Sequence, residues 1–136
     1  MENNSKQVIV MRKDLGMRKG KMIAQGAHAS MIFLLNRIKP LGQSMNGIAC
    51  HSRTGFYTQA QQDWINNKIT KVCVGVDSEE ELIDIYNKAK EAKIEVHMIT
   101  DAGLTEFHGI PTKTCLALGP HYPDKIDEIT GHLSLL

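Results

Sequence analysis

Residues 7–11, Gln-Val-Ile-Val-Met, form a short, nearly all-apolar run of β-prone residues, the pattern of a strand covered on both faces. After a polar loop containing glycine, Ile23, Ala27, Ser30, Met31 and Leu34 recur at helical spacing. This predicts a helix from about Gly20 to about Ile38 with those five residues toward the core. Lys39-Pro40 should end it, because the residue before a proline avoids helical backbone. Residues 41–57 carry Gly42, Gly47, Gly55 and many polar side chains and read as a loop. The segment 58–67 suits a short helix anchored by Trp64 and Ile65, and Lys71 to Val76 reads as a second strand. Ser78 with Glu81 three residues on makes a capping box. Leu82, Ile85, Tyr86 and Ala89 then share one helical face. Strands at about 94–99 and 113–118 follow, then a helix opened by Pro123 and closed near Gly131.

Helices separate most of the strands, which implies an α/β layered sheet. Only a loop joins the third strand to the fourth, so that pair should be antiparallel. The 136 residues fit one domain, 1–136, with no internal repeat and an expected flexible loop at 39–61.

Composition is that of a soluble globular protein. The net charge of +1 means that any polyanion must be held by a local patch. Arg12, Lys13, Arg18, Lys19 and Lys21 supply one within ten residues, while acids gather at Asp77, Glu79, Glu80 and Glu81. Three widely spaced cysteines form no Cys-x-x-Cys pair, and Cys73 and Cys115, inside apolar runs, read as buried reduced thiols. No signal peptide and no membrane span are expected, so a cytoplasmic location is the default.

The chemistry concentrates at Gly16-Met17-Arg18-Lys19-Gly20-Lys21. Cations at a helix start oppose the dipole, whose N-terminal end is partly positive. Unpaired backbone N–H groups together with Arg18, Lys19 and Lys21 would hold a phosphodiester chain. The bland alternative is a solvated helix start with long snorkelling side chains. A phosphate loop of the nucleotide-hydrolase type is excluded: three residues, not four, separate Gly16 from Gly20, and Met22 follows Lys21. Lys21, Gln25 and His28 line one helical face, although His28 alone reads as an ordinary, partly buried histidine. Asp101 closes the third strand, where ligands of layered α/β proteins gather, and if the first and third strands are parallel it approaches Lys21. By itself Asp101 reads rather as a turn former whose carboxylate bonds nearby N–H groups. No histidine spacing suggests zinc, and there is no Gly-x-Ser-x-Gly elbow.

Together, Lys19-Gly20-Lys21-x-x-Ala24-Gln25-x-x-His28-Ala29, Asp101-Ala102-Gly103-x-Thr105 and Thr112-Lys113-Thr114 with Ala117-x-Gly119-Pro120 resemble the type II peptidyl-tRNA hydrolase family. The closing Ile126-Asp-x-Ile-Thr130-Gly131-His132-Leu133 is similar to that family's last helix. The resemblance covers about 6–38 and 62–136. It implies a three-layer α/β/α sandwich around a mixed four-stranded sheet, often dimeric. It also implies hydrolysis of the ester joining a peptide to the 3′ end of tRNA. By carry-over, Lys21, Asp101, Thr105 and Thr114 would be catalytic. Arg18, Lys19, Gly20, Gln25 and His28 would bind the peptidyl-tRNA substrate. An aminoacyl ester is already reactive, so neither metal nor cofactor is expected. The competing readings are a non-catalytic tRNA-binding or protein-interaction module on the same fold, and an esterase for small acyl esters.

Overall fold

The computed structural model describes residues 4–38, 40–43, 49–51, 57–104 and 106–136. In chain order the elements are β1 (Lys6–Arg12), α1 (Lys19–Leu35), β2 (Pro40–Gln43), β3 (Ala49–His51) and α2 (Gln59–Asn66). They continue with β4 (Lys71–Val76), α3 (Glu79–Glu91), β5 (Val96–Asp101), β6 (Thr112–His121) and α4 (Pro123–Thr130).

The main sheet has the order β4-β1-β6-β5. Strand β1 pairs parallel with β4 and antiparallel with β6, and β5 is antiparallel to β6. Because β1 and β5 both oppose β6, they run the same way. Alternate residues of the strands feed two cores. Val8, Val10, Val74, Leu116 and Leu118 pack under α3 and α4, with Leu82, Ile85 and Ile126. Ile9, Met11, Cys115 and Ala117 pack under α1 against Ala29. The result is the three-layer α/β/α sandwich with a mixed sheet. Local signals were strong where they prevailed. The Ser78 hydroxyl accepts from the Glu81 N–H, Leu82, Ile85 and Ala89 are buried, and Pro123 opens α4. The Glu81 carboxylate accepts from the Asp77 N–H instead of completing the box at Ser78.

Four expectations change. Helix α1 buries Gly26, Ala29, Ser30 and Phe33, whereas Ile23 is 72% exposed and Met31 50%. Ala27, also expected inward, is exposed too. Small residues set the close approach of helix to sheet: a Cβ on Gly26 would lie 3.7 Å from both Ile9 and Met11. The larger aliphatic residues are left facing the β4 flank. Cys73 is exposed for the same reason, because β4 is the sheet edge and α1 does not cover that side of it. In α2 the anchor is Trp64 with Ala60, Gln61 and Asp63, while Ile65 is exposed. Within the expected loop, β2 and β3 pair as a separate antiparallel ladder. The chain's last residues protect the sheet edge. The Gly75 N–H donates to Ser134 and the Leu136 N–H to Cys73, and Leu135 bridges Val74.

Candidate active site

The parallel course of β1 and β5 brings together two segments that are 80 residues apart in sequence. The loop after β1 delivers Lys21 in the first turn of α1, and β5 ends on Asp101. The Lys21 ammonium donates to Asp101 Oδ1 at 2.9 Å, and each side chain retains 16% exposure. One helical turn on, the Gln25 amide nitrogen reaches the same oxygen at 3.4 Å. The Gly103 N–H donates to Asp101 Oδ2 at 2.9 Å. Glycine is required there by the loop: φ is +82°, and a Cβ would come within 2.3 Å of the Ile110 carbonyl oxygen. On the far side of Gln25, Thr114 from β6 donates its hydroxyl to the Gln25 amide oxygen. The Phe107 ring lies under the Lys21 ammonium, 5.6 Å from centroid to nitrogen.

These contacts fix the charge state. The Lys21 hydrogen bond, then the Gly103 N–H, hold the Asp101 carboxyl below its ordinary range, so it is an anion at neutral pH. The site therefore presents a carboxylate, an ammonium and an amide side by side at a half-open mouth. Such a set can orient water and meet a developing negative charge.

The remaining residues of interest separate. Arg18 is the N-cap of α1; its side chain makes no capping bond, and the first turn contains no acid. Its side chain is 90% exposed and lies 3.8 Å from Glu106, and Lys19 and Gly20 are exposed beside it. His28 is exposed one turn beyond Gln25. Thr105 lies outside the described residues. The basic run divides as well. Arg12 is buried and clamps Asp14 through two nitrogens while donating to the Lys113 carbonyl. Lys13 pairs with Asp77 at 3.4 Å, so part of the acidic segment meets this end of the sheet. The roles of the Gly103 N–H and Phe107 were not read from sequence. A glycine two residues after a strand-ending aspartate was the available signal for the first. Among the described residues no three His, Cys, Asp or Glu side chains form a group able to hold a metal.

An open groove of about 560 Å³ lies on the other flank of α1 and is almost wholly apolar. Ile23, Met31, Cys73 and Leu136 line it; Lys21, Asp101 and Thr114 do not.

Comparison with known proteins decides the family. A family model described as Peptidyl-tRNA hydrolase PTH2 matches residues 5–136. The chain belongs to the type II peptidyl-tRNA hydrolase family. A peptidyl-tRNA hydrolase of Methanocaldococcus jannaschii is 43% identical, over 96% of this chain and 99% of its own length. That of Methanothermobacter thermautotrophicus is 39% identical over the same shares, 96% and 99%. A probable peptidyl-tRNA hydrolase 2 of Dictyostelium discoideum is 39% identical over 96% of this chain but 54% of its own. A solved protein of unknown function from Agrobacterium tumefaciens aligns with a TM-score of 0.54 at 13% identity. It covers 100% of this chain and 99% of its own, and it supports the fold alone. No helix among the described residues is long and apolar enough to cross a membrane.

Proposed function

We propose that the chain hydrolyses the ester between a peptide, or an N-blocked aminoacyl group, and the 3′ end of tRNA, releasing tRNA for reuse in translation. The observation that carries this reading is the Lys21–Asp101 pair at the mouth between α1 and β5, in a chain that matches its family from residue 5 to 136. Water attacks the ester carbonyl carbon and gives up a proton. The carbonyl–O3′ bond then breaks, and the ribose oxygen takes up a proton. Asp101, held as an anion by Lys21, is a weak base near neutrality and acts chiefly by orienting the water. Lys21 stabilises the oxyanion or the adjacent terminal phosphate. Thr105, four residues after Asp101 in the sequence, supplies a hydroxyl for water or ester. Arg18 and Lys19, exposed at the start of α1, grip phosphates, so tRNA binding weakens steeply with salt. A role in translation supports a cytoplasmic location.

The test is single-turnover hydrolysis of N-acetylaminoacyl-tRNA by the wild type, Asp101→Asn and Lys21→Ala, at two salt concentrations. Release of free tRNA by wild type, with a loss of about 10²-fold or more in each variant, is the expected result. Salt-sensitive tRNA binding without release would move the function to the binding-module reading.

We also propose a homodimer in which a second copy covers the groove beside α1. A nearly all-apolar strip with Ile23 and Met31 at its rim suits a protein surface and not a polyanion. Light scattering should show Ile23→Glu as a monomer with intact fold; a wild-type monomer at high concentration would refute the dimer.

A further inference from the structure

Thr114 stands out because it cannot meet the substrate in this arrangement: its exposure is 0%, on a strand buried along most of its length. Its hydroxyl oxygen lies 2.5 Å from the Gln25 amide oxygen and donates to it. Gln25 is half-buried and its amide nitrogen faces the carboxylate of Asp101. The two ends of one amide are thus fixed by different partners. If the amide were reversed, its oxygen would face the Asp101 carboxylate oxygen, acceptor against acceptor, and its nitrogen would face Thr114. Asp101 therefore disfavours the reversed amide, and Thr114 stabilises the observed one from beneath. A second contact holds the backbone beneath, because the Cys115 thiol reaches the Gln25 carbonyl oxygen at 3.5 Å. The Gln25 –NH₂ has two hydrogens, and Asp101 engages one at the long distance of 3.4 Å.

We propose that Thr114 is a positioning residue that locks the Gln25 amide, and that the locked –NH₂ stands beside Lys21 as a second donor to the ester's developing oxyanion. This deepens the hydrolase reading and rests on it. The charge that appears on the carbonyl oxygen during water attack then meets an ammonium and an amide N–H, both anchored on Asp101 and one helical turn apart on α1. Gln25 acts only as a donor: no proton leaves it, and the water proton follows the route already described.

The test is a double-mutant cycle on peptidyl-tRNA hydrolysis, with kcat and KM measured separately. Thr114→Val keeps the shape of the side chain and removes the hydroxyl; Gln25→Met keeps the length and removes the amide. Each is expected to lower kcat about 10- to 100-fold with KM changed less than about twofold, the pattern of a contact made in the transition state. Thr114→Ser, which retains the hydroxyl, should restore kcat to within a few-fold of wild type while Thr114→Val does not. The double variant should be no slower than Gln25→Met alone, because Thr114 works through Gln25. Additive losses, a fall expressed in KM alone, or an active Thr114→Val would overturn the assignment. Thermal unfolding of every variant separates a packing defect, which Thr114→Ser would share, from loss of the lock. An inactive wild type would instead remove the hydrolase reading itself, which makes the two failures distinguishable.

Discussion

Helix α1 and strand β5 are tied together twice, by a cation and a carboxylate at each end, and the two ties are built differently. At one end, just beyond α1, the Arg37 guanidinium forks onto both oxygens of Glu95, at 2.7 and 3.0 Å. Gln61 donates to one of those oxygens, His97 meets the other, and Arg37 also donates to the Phe33 carbonyl. Tyr57 stacks on the guanidinium at 5.0 Å. At the other end Lys21 meets one oxygen of Asp101 through its ammonium at 2.9 Å, and the Gln25 amide reaches the same oxygen at 3.4 Å. The first tie matches planar groups bidentately and surrounds its carboxylate with fixed donors from α2, β5 and the segment after α1, which makes it a rigid structural joint. The second uses a compact ammonium that can shift toward a new negative charge. The same pair of elements carries a joint at one end and a reaction site at the other.

The largest expected effect comes from neutralising each carboxylate in turn. Asp101→Asn should lower hydrolysis by about 10²-fold or more and move unfolding by only about 1 kcal/mol, because the amide oxygen can still accept from Lys21. Glu95→Gln should do the reverse, costing about 1–3 kcal/mol and leaving kcat within about twofold. Hydrolysis rates beside thermal or urea unfolding of the two variants decide it. A Glu95→Gln protein that is stable but slow would erase the distinction between joint and site.

Legibility in the sequence followed the range of the interaction. The cap at Ser78 and the face Leu82, Ile85, Ala89 are local, and propensity and tertiary packing agree there. The buried face of α1 was misread because the pattern gives weight to Ile23 and Met31, whereas the sheet selects the small residues that permit close approach. Lys21 and Asp101 were legible through the rule that ligands gather at strand ends, given parallel strands. Gln25 was named as a substrate contact, but its bond to Thr114 depends on β6 lying between β1 and β5, an order no local pattern encodes. The joint at Glu95 went unread. Glu95 and His97, two apart, fall on one side of their segment, which was its one local trace.

An acid titration sharpens the comparison at smaller scale. Burial would raise the Glu95 carboxyl, but hydrogen bonds from His97, Arg37 and Gln61 outweigh it and bring it to about 2 from an ordinary 4.5. A carboxyl lowered by folding contributes stability that is complete above its unfolded value and drains away as pH falls through the folded one. The contribution of Glu95 is therefore intact above about 4.5 and lost toward 2. Asp14 and Asp101 are also lowered, so the readout is the difference between wild type and Glu95→Gln in urea unfolding across that range. The difference should shrink steadily with acid; a constant difference would show that the joint does not depend on charge.

The smallest effect reports where α1 stays seated. Burial pushes the Cys115 thiol up to about 11, and its sulfur rests against the backbone of α1 at Gln25, whereas Cys73 is exposed at the sheet edge. At pH 8 a thiol of that strength is ionised to roughly one part in a thousand, and the thiolate is the form that alkylates. Iodoacetamide followed by peptide mapping should therefore label Cys73 promptly in the Ile23→Glu monomer and leave Cys115 unmodified. The informative arm uses the two cations. Lys21→Ala should keep Cys115 protected, because the reaction site is not what holds the helix down. Arg37→Ala should speed its labelling several-fold, because loosening the joint lets α1 open more often over β6. Equal protection in both variants would mean that packing of Gly26, Ala29 and Phe33 holds the helix without either tie, and the contrast between joint and site would then rest on catalysis alone.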